Sequence, residues 1–202
     1  MPRKSQHRTL GRPRGFDADK ALDRALKVFW RKGYEGTSIT DLTRAMCINR
    51  PSLYAAFGDK EALFRKALER YEQGPVNFMR EALNEPTARG VAERLLFGAV
   101  ESMCPARAPQ GCMLVQGALA AGDDAEPVQR ELAQHREAGV AALTQRLRRA
   151  KKERDLPADA DPAALARYLM TVINGMAVQS VSGATPADLR KVAETALRSW
   201  PG

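Results

Sequence analysis

The chain has 202 residues, 44% hydrophobic and 28% charged, which excludes a wholly disordered chain. No stretch approaches about 18 consecutive apolar residues and residues 1–15 lack an apolar segment, so we expect no transmembrane helix, no secretory signal and a cytoplasmic protein. The net charge is +8, and residues 1–74 carry nearly all of it with 16 basic and 9 acidic side chains. This asymmetry suits either a polyanionic partner for that part or a merely solvated basic surface, and charge alone does not choose between them.

Residues 1–15 predict a flexible basic arm, because Gly11, Pro13 and Gly15 discourage a helix. Its arginines Arg12 and Arg14 suit insertion into a narrow minor groove of DNA. They equally suit unspecific attraction to phosphates. Both alternatives predict that these two arginines contribute to DNA affinity.

From Asp17 onward the apolar residues recur with a helical period. Four helices are predicted before the break at Gly74-Pro75, the last three capped by Ser38, Asn49 and Asp59. Residues 16–74 are therefore predicted to form a domain built on a three-helix helix-turn-helix unit. Residues 75–202 are predicted to form a larger helical domain.

The segment from Ser38 to Phe57 carries the chemistry, since two short helices joined by a three-residue turn match the helix-turn-helix plan. Arginine can bind guanine through two hydrogen bonds, asparagine can bind adenine in the same way, and hydroxyl or cationic groups suit phosphate oxygens. Besides the two arginines of the arm, the candidate DNA-binding residues are Thr37, Ser38, Arg44, Asn49, Arg50, Pro51, Ser52, Tyr54 and Lys60.

Thr37-Ser38-Ile39 and the run Ile48–Phe64, with the letters INRPSLYAAFGDKEALF, resemble the DNA-binding domain of TetR-family transcriptional regulators. The resemblance covers about residues 12–72, and Gly111–Val115 resembles a stretch in one branch of that family. It implies an all-α homodimer of about nine helices per chain that places the Asn49–Phe57 helix in the major groove of a palindromic operator. It also implies a repressor released by a small-molecule effector bound in the C-terminal domain.

One residue of the turn departs from the family, which usually has glycine where this chain has Cys47. Glycine adopts a positive φ at little cost, whereas cysteine does not. The turn either differs slightly or does not require a left-handed residue. The thiol either acts near DNA or is a tolerated small side chain.

The rest of the chain predicts helices near 76–84, 88–104, 112–121, 126–153, 162–182 and 186–199, and no strand. The last two carry broad apolar stripes, which suit either an intramolecular core or a four-helix interface with a second copy. The residues predicted for the dimer interface are Leu165, Tyr168, Leu169, Val172, Ile173, Met176, Leu189, Val192, Ala193, Ala196, Leu197 and Trp200.

An effector pocket is predicted between these helices, from adaptable methionines and aromatic residues with a few polar groups among them. The candidate lining residues, which could also be ordinary core, are Phe78, Phe97, Met103, Cys104, Cys112, Met113, His135, Met170 and Asn174. Cys104 and Cys112 offer an alternative trigger as a thiol switch, or they are structural thiols. Two cysteines eight residues apart do not make a zinc pattern with the two histidines available, so neither a metal nor another cofactor is predicted.

An all-α enzyme is the remote alternative. The sequence has no glycine-rich phosphate loop and no recognisable nucleophile–base pair, so catalysis is not expected. Turnover of a small substrate that requires His135 would support the enzyme alternative. The predicted partners are double-stranded DNA, a second copy and a small molecule, with no membrane.

Overall fold

The computed structural model describes residues 15–104, 109–119 and 125–201. Within these ranges all regular structure is helical and no strand occurs, which confirms the all-α prediction with ten helices where about nine were expected. The helices are α1 Ala18–Lys32, α2 Ile39–Met46, α3 Arg50–Phe57, α4 Lys60–Gln73, α5 Phe78–Ala82, α6 Ala88–Met103, α7 Met113–Leu119, α8 Glu126–Lys152, α9 Pro162–Val181 and α10 Pro186–Arg198.

Side-chain caps fix where α2, α3 and α4 begin, as the sequence predicts. Ser38 Oγ accepts a hydrogen bond from the Asp41 amide at 3.0 Å, and Asn49 Oδ1 accepts one from the Ser52 amide at 2.8 Å. Asp59 Oδ1 accepts one from the Ala62 amide at 2.8 Å. Each cap satisfies an amide that the first helical turn leaves unpaired.

Aromatic side chains fasten the N-terminal helices to one another. The rings of Phe29 on α1 and Phe64 on α4 meet edge to face with centroids 5.1 Å apart, a favoured aromatic geometry. Leu42 on α2 and Leu53 on α3 are also fully buried. The apolar sides of α2 and α3 therefore face inward, and their polar sides are left outside.

The C-terminal helices pack as a layered bundle. α8 lies along α9, α10 packs on α6 and α9, and α7 lies against α1, α8 and α9. α4 ends at Gln73, next to the predicted boundary, but the limits 16–74 and 75–202 stay a prediction. No helix in the described ranges combines the length and the apolar character needed to cross a membrane.

Asp41 links the end of α1 to the start of α2. Its Oδ1 lies 2.8 Å from Lys32 Nζ, and its Oδ2 accepts hydrogen bonds from the Ser38 amide and hydroxyl. Lys32 first, and Ser38 next, hold the pKa of Asp41 well below its usual range.

We expect Asp41→Asn to lower the Tm near neutral pH and to matter less in acid. A carboxyl whose pKa is lower in the folded state adds stability above its unfolded pKa of about 3.9, and this stability is lost as the pH falls further. Thermal unfolding from about pH 7 down to about pH 3 measures the difference in Tm between variant and parent. A difference in Tm that stays constant over this range would contradict a lowered pKa of Asp41 in the folded state.

Candidate DNA-binding surface and effector cavity

The start of α3 is exposed and carries a cation. Arg50 and Pro51 open the helix at the surface, and Tyr54, one turn later, is 50% exposed. Leu53 and Phe57 on the opposite side are buried and hold α3 against the other helices. The helix therefore presents its N-terminal half and one polar side, the geometry by which a recognition helix enters a major groove.

Arg50 is oriented by a residue that the sequence did not single out. Its Nη2 donates to Thr40 Oγ1 on α2 at 3.1 Å, and both side chains are exposed. This single bond leaves the other guanidinium donors available to a ligand. The sequence signal that could have identified Thr40 is its place in the first turn of α2, two residues after the Ser38 cap.

One of the predicted contacts needs correction and a second is constrained, because their polar atoms are already engaged. Thr37 is fully buried, and its hydroxyl donates to the Gly33 carbonyl at 2.6 Å, so its side chain does not face a phosphate. Asn49 uses Oδ1 in the α3 cap. The cap fixes the orientation of the amide, and it leaves Nδ2 and one acceptor site on Oδ1 for a base.

The remaining candidates lie around α3. Ser38 and Arg44 are exposed on α2 and its cap, while Ser52 is half-buried. Lys60 Nζ lies 4.3 Å from the centroid of the Tyr34 ring. Burial lowers the pKa of Lys60, with the opposing influence of Glu35 smaller, and the ring holds the ammonium group at the edge of the surface. Arg12 and Arg14 lie outside the described residues.

Cys47 closes the turn between α2 and α3 in a left-handed conformation, with φ 57° and ψ 43°. The turn therefore keeps the left-handed backbone conformation that favours glycine, with a cysteine in it, and neither alternative left by the sequence holds. The side chain is exposed. A residue with a Cβ has a conformational cost there that glycine avoids.

We expect Cys47→Gly to raise the free energy of unfolding by about 1 kcal/mol, because relief of the left-handed strain exceeds the extra entropy of glycine in the unfolded chain. Cys47→Ala is the matched control, since it removes the thiol and keeps the Cβ, and we expect it to leave stability nearly unchanged. Urea unfolding of the three proteins measures both effects. Equal stability of the glycine and alanine variants would contradict the claim that the backbone at Cys47 is strained.

A cavity of about 350 Å³ opens between α4, α5, α8 and α9. Its walls are mostly apolar, as in small-molecule sites generally. Four predicted pocket residues line it, namely Cys112, His135, Met170 and Asn174. The other lining residues are Glu72, Val76, Met79, Arg80, Leu83, Leu114, Arg136, Ala138, Gly139 and Ile173.

Polar groups line the cavity from α4, α5, α8 and α9. His135 Nδ1 lies 2.6 Å from Glu72 Oε1, and both side chains are about one third exposed. Arg136 Nη1 donates to the Leu114 carbonyl at 2.7 Å. An imidazole oriented through Nδ1 turns Nε2 toward a different partner. The sequence missed Glu72 and Arg136, although Glu72 follows Leu68 by one turn on the apolar stripe of α4.

Five predicted pocket residues lie elsewhere, because helical spacing identifies an apolar face without saying what covers it. Phe78 is buried against Gly98, where an added Cβ would lie 2.5 Å from the Phe78 ring. Phe97 lies under the Arg190 guanidinium at 5.4 Å. The remaining three, two buried methionines and a half-buried thiol, are Met103, Met113 and Cys104.

The thiol-switch alternative loses support from the surroundings of Cys104. Burial raises the pKa of its thiol, and the thiolate is the reactive form. Cys112 lines the cavity and lies against the Tyr71 hydroxyl. These surroundings suit structural thiols better than a redox pair.

Only some of the residues predicted for the dimer interface lie at the surface of the protomer. Two of them are exposed, Tyr168 at 40% and Val192 at 43%, and Leu165 and Val172 are half-buried. Eight are buried inside the protomer, because α9 and α10 pack on α6 and on each other. These eight offer little surface to a second copy, and their place in an interface stays a prediction: Leu169, Ile173, Met176, Leu189, Ala193, Ala196, Leu197 and Trp200.

Two family models match the chain. The model for bacterial regulatory proteins of the tetR family matches residues 21–67. The model for the tetracyclin repressor-like C-terminal domain matches residues 92–196. The two matches together cover both parts of the chain.

Relatives and solved structures agree with these matches. The HTH-type transcriptional repressor ComR of Escherichia coli is 32% identical over 196 residues, 96% of this chain and 93% of its own. The HTH-type transcriptional regulator YezE of Bacillus subtilis is 36% identical over 167 residues, covering 79% of this chain and 84% of its own. A cysteine variant of CifR, solved in complex with 26-bp double-strand operator DNA, superposes with a TM-score of 0.90 at 42% identity, covering 95% of this chain and 100% of that one.

Proposed function

Because the chain belongs to the TetR family of bacterial transcriptional regulators, we propose that it is a repressor that binds a palindromic operator as a homodimer and leaves it when a small molecule fills the cavity. A chain of this family is a DNA-binding regulator and not an enzyme. The observation that carries the proposal is the exposed start of α3, where Arg50 and Tyr54 face outward beside Thr40.

The exposed groups divide into one that reads bases and several that bind phosphates. Arg50 suits a guanine, with Thr40 restricting its rotamers. Tyr54, Lys60 and Arg44 suit phosphate oxygens, which fix the position of the protein on DNA. Around them, the groups assigned to supporting contacts with the duplex are Ser38, Asn49 through Nδ2, Pro51, Ser52 and the arm residues Arg12 and Arg14.

Exposed apolar side chains support the homodimer. Among the described residues, the large hydrophobic side chains that stay exposed are Tyr54 and four others, all on α9 and α10: Tyr168, Val178, Val181 and Val192. Two of them, Tyr168 and Val192, border one groove between α9 and α10, and exposed apolar side chains grouped in this way suit an interaction surface. A second copy that covers it would also supply the second recognition helix for a palindrome.

The cavity supports a small apolar effector with one polar end. Its volume of about 350 Å³ lies at the lower end of the range of ligand sites. His135, Arg136 and Asn174 offer polar groups to an occupant. Met170 and Ile173 offer it apolar contacts. The protein would act in the cytoplasm, where the operator and the effector are both present.

Selection of binding sites from random duplexes tests the proposal. The full chain is expected to enrich a palindrome, and anisotropy titrations on it are expected to show affinity that falls steeply with salt. Arg130→Ala on α8 is the control variant, because it removes one exposed cation that lies outside the helix-turn-helix and pairs with Glu126 of its own helix. Failure to enrich any duplex, or an enriched site without two-fold symmetry, would contradict the proposal.

A further inference from the structure

A short stretch before and within the first turn of α7, residues Gly111, Cys112 and Met113, joins the cavity to the DNA-binding helices; we name it the latch segment. Trp30 Nε1 on α1 donates to the Gly111 carbonyl at 3.1 Å. The Met113 amide donates to the Tyr71 hydroxyl on α4 at 3.3 Å. Between these two bonds, Cys112 forms part of the cavity wall.

Both bonds of the latch segment are shielded from water. Trp30 and Tyr71 are buried, and their rings meet edge to face with centroids 4.8 Å apart. Burial, and then the Cys112 thiol, raise the pKa of Tyr71. Breaking either bond leaves a buried donor without a partner, which is costly, so the segment and the two rings are held as one unit.

The unit is continuous with the helix-turn-helix. Arg24 Nη1 on α1 donates to the Met46 carbonyl at the end of α2, at 3.4 Å. Phe29, next to Trp30 on α1, packs on Phe64 of α4. A displacement of α1 or α4 is therefore passed to α2, and through α2 to the exposed start of α3.

We propose that the latch segment transmits occupancy of the cavity to the DNA-binding helices, with Trp30 and Tyr71 as the positioning residues that carry the displacement. A molecule in the cavity presses on Cys112, and the two buried bonds convert that pressure into a movement of α1 and α4. This inference rests on the effector release proposed above and specifies its regulation. It assigns a role to two side chains that contact neither DNA nor the cavity's occupant.

A tethered occupant tests the transmission without knowledge of the natural effector. In a chain with Cys47→Ala, Cys104→Ser and Trp200→Phe, Cys112 is the sole cysteine and Trp30 the sole tryptophan. Benzyl methanethiosulfonate attaches a benzylthio group to the Cys112 sulfur and releases methanesulfinate. We expect labelling to weaken binding of the selected operator by about 10-fold and to shift the emission maximum of Trp30.

Removal of one bond at a time identifies the path. Tyr71→Phe keeps the ring and removes the acceptor of the Met113 amide, and Trp30→Phe removes the donor to Gly111. In each variant we expect labelling to weaken operator binding by no more than about 2-fold. Position 200 supplies the matched control, since Trp200 is buried with an unpartnered Nε1; restoring it should leave the 10-fold effect intact.

The outcomes separate this inference from the proposed function. An equal loss of affinity on labelling in both phenylalanine variants would overturn the latch and leave effector release standing. A label that changes neither operator affinity nor Trp30 emission would overturn both. A Trp30 shift in a protein that selects no duplex would support the transmission and refute operator binding. If one of the two phenylalanine variants does not fold, the response of the other to labelling still tests the transmission.

Discussion

Replacement of Arg50 by alanine is expected to abolish most of the discrimination between the selected operator and duplexes altered at one base pair of each half-site. A two-bond contact from arginine to guanine contributes about 1–3 kcal/mol of discrimination, or about 5- to 150-fold. Arg50 is exposed at the start of α3, and its bond to Thr40 limits the positions that its guanidinium can take. Anisotropy titrations against the operator and a set of single-pair variants measure the ratio.

Lys60→Ala is the matched control for this experiment, because it removes one cation that lies on an aromatic ring and not on α3's exposed side. It should weaken binding to all duplexes about equally and lower the salt dependence of log K by about 1 for each phosphate that the variant no longer neutralises. Unchanged discrimination in Arg50→Ala, or altered discrimination in Lys60→Ala, would show that base reading lies elsewhere on the surface.

The N-terminal part could be predicted closely because its determinants are local. A cap depends on a side chain and an amide only three residues away, so Ser38, Asn49 and Asp59 marked the starts of α2, α3 and α4 in the sequence itself. The same local pattern does not show which of two roles Asn49 plays. One residue type suits both a cap and an adenine contact, and only the folded chain shows that Oδ1 is committed to the cap.

The C-terminal part was harder to predict because its contacts join distant residues. The stripes on α9 and α10 showed which sides are apolar, but not that α9 packs mainly on α8 and α10 mainly on α6. Ile173 was assigned to the dimer interface, and it lines the cavity. The pair formed by His135 and Glu72 spans 63 residues of sequence, and no spacing rule connects positions so far apart.

The parts of α9 and α10 that the other helices leave uncovered define a narrower surface for a second copy. Tyr168 and Val192 flank a shallow groove between α9 and α10, with Lys191 and Thr195 on its α10 side. The Tyr168 hydroxyl lies 3.2 Å from Ser199 Oγ, which directs the ring along α10. A ring and a branched side chain held in this way would bury well against the same groove of a partner.

Val192→Glu is therefore expected to yield a folded monomer that has lost nearly all operator affinity. The exposed valine tolerates a carboxylate in the protomer, whereas burial of two such charges at a symmetric interface is strongly unfavourable. A monomer contacts one half-site at a time and loses the gain from linked binding, about 100-fold or more. Sedimentation gives the oligomeric state, and anisotropy on the operator gives the affinity.

Arg190→Glu separates this effect from a general effect of negative charge on α10, because Arg190 lies over Phe97 of α6 and away from the groove. We expect it to remain a dimer. A dimeric Val192→Glu would place the interface on another face. A monomer that still binds the full palindrome with parental affinity would mean that the second recognition helix adds nothing, which linked binding of two half-sites does not allow.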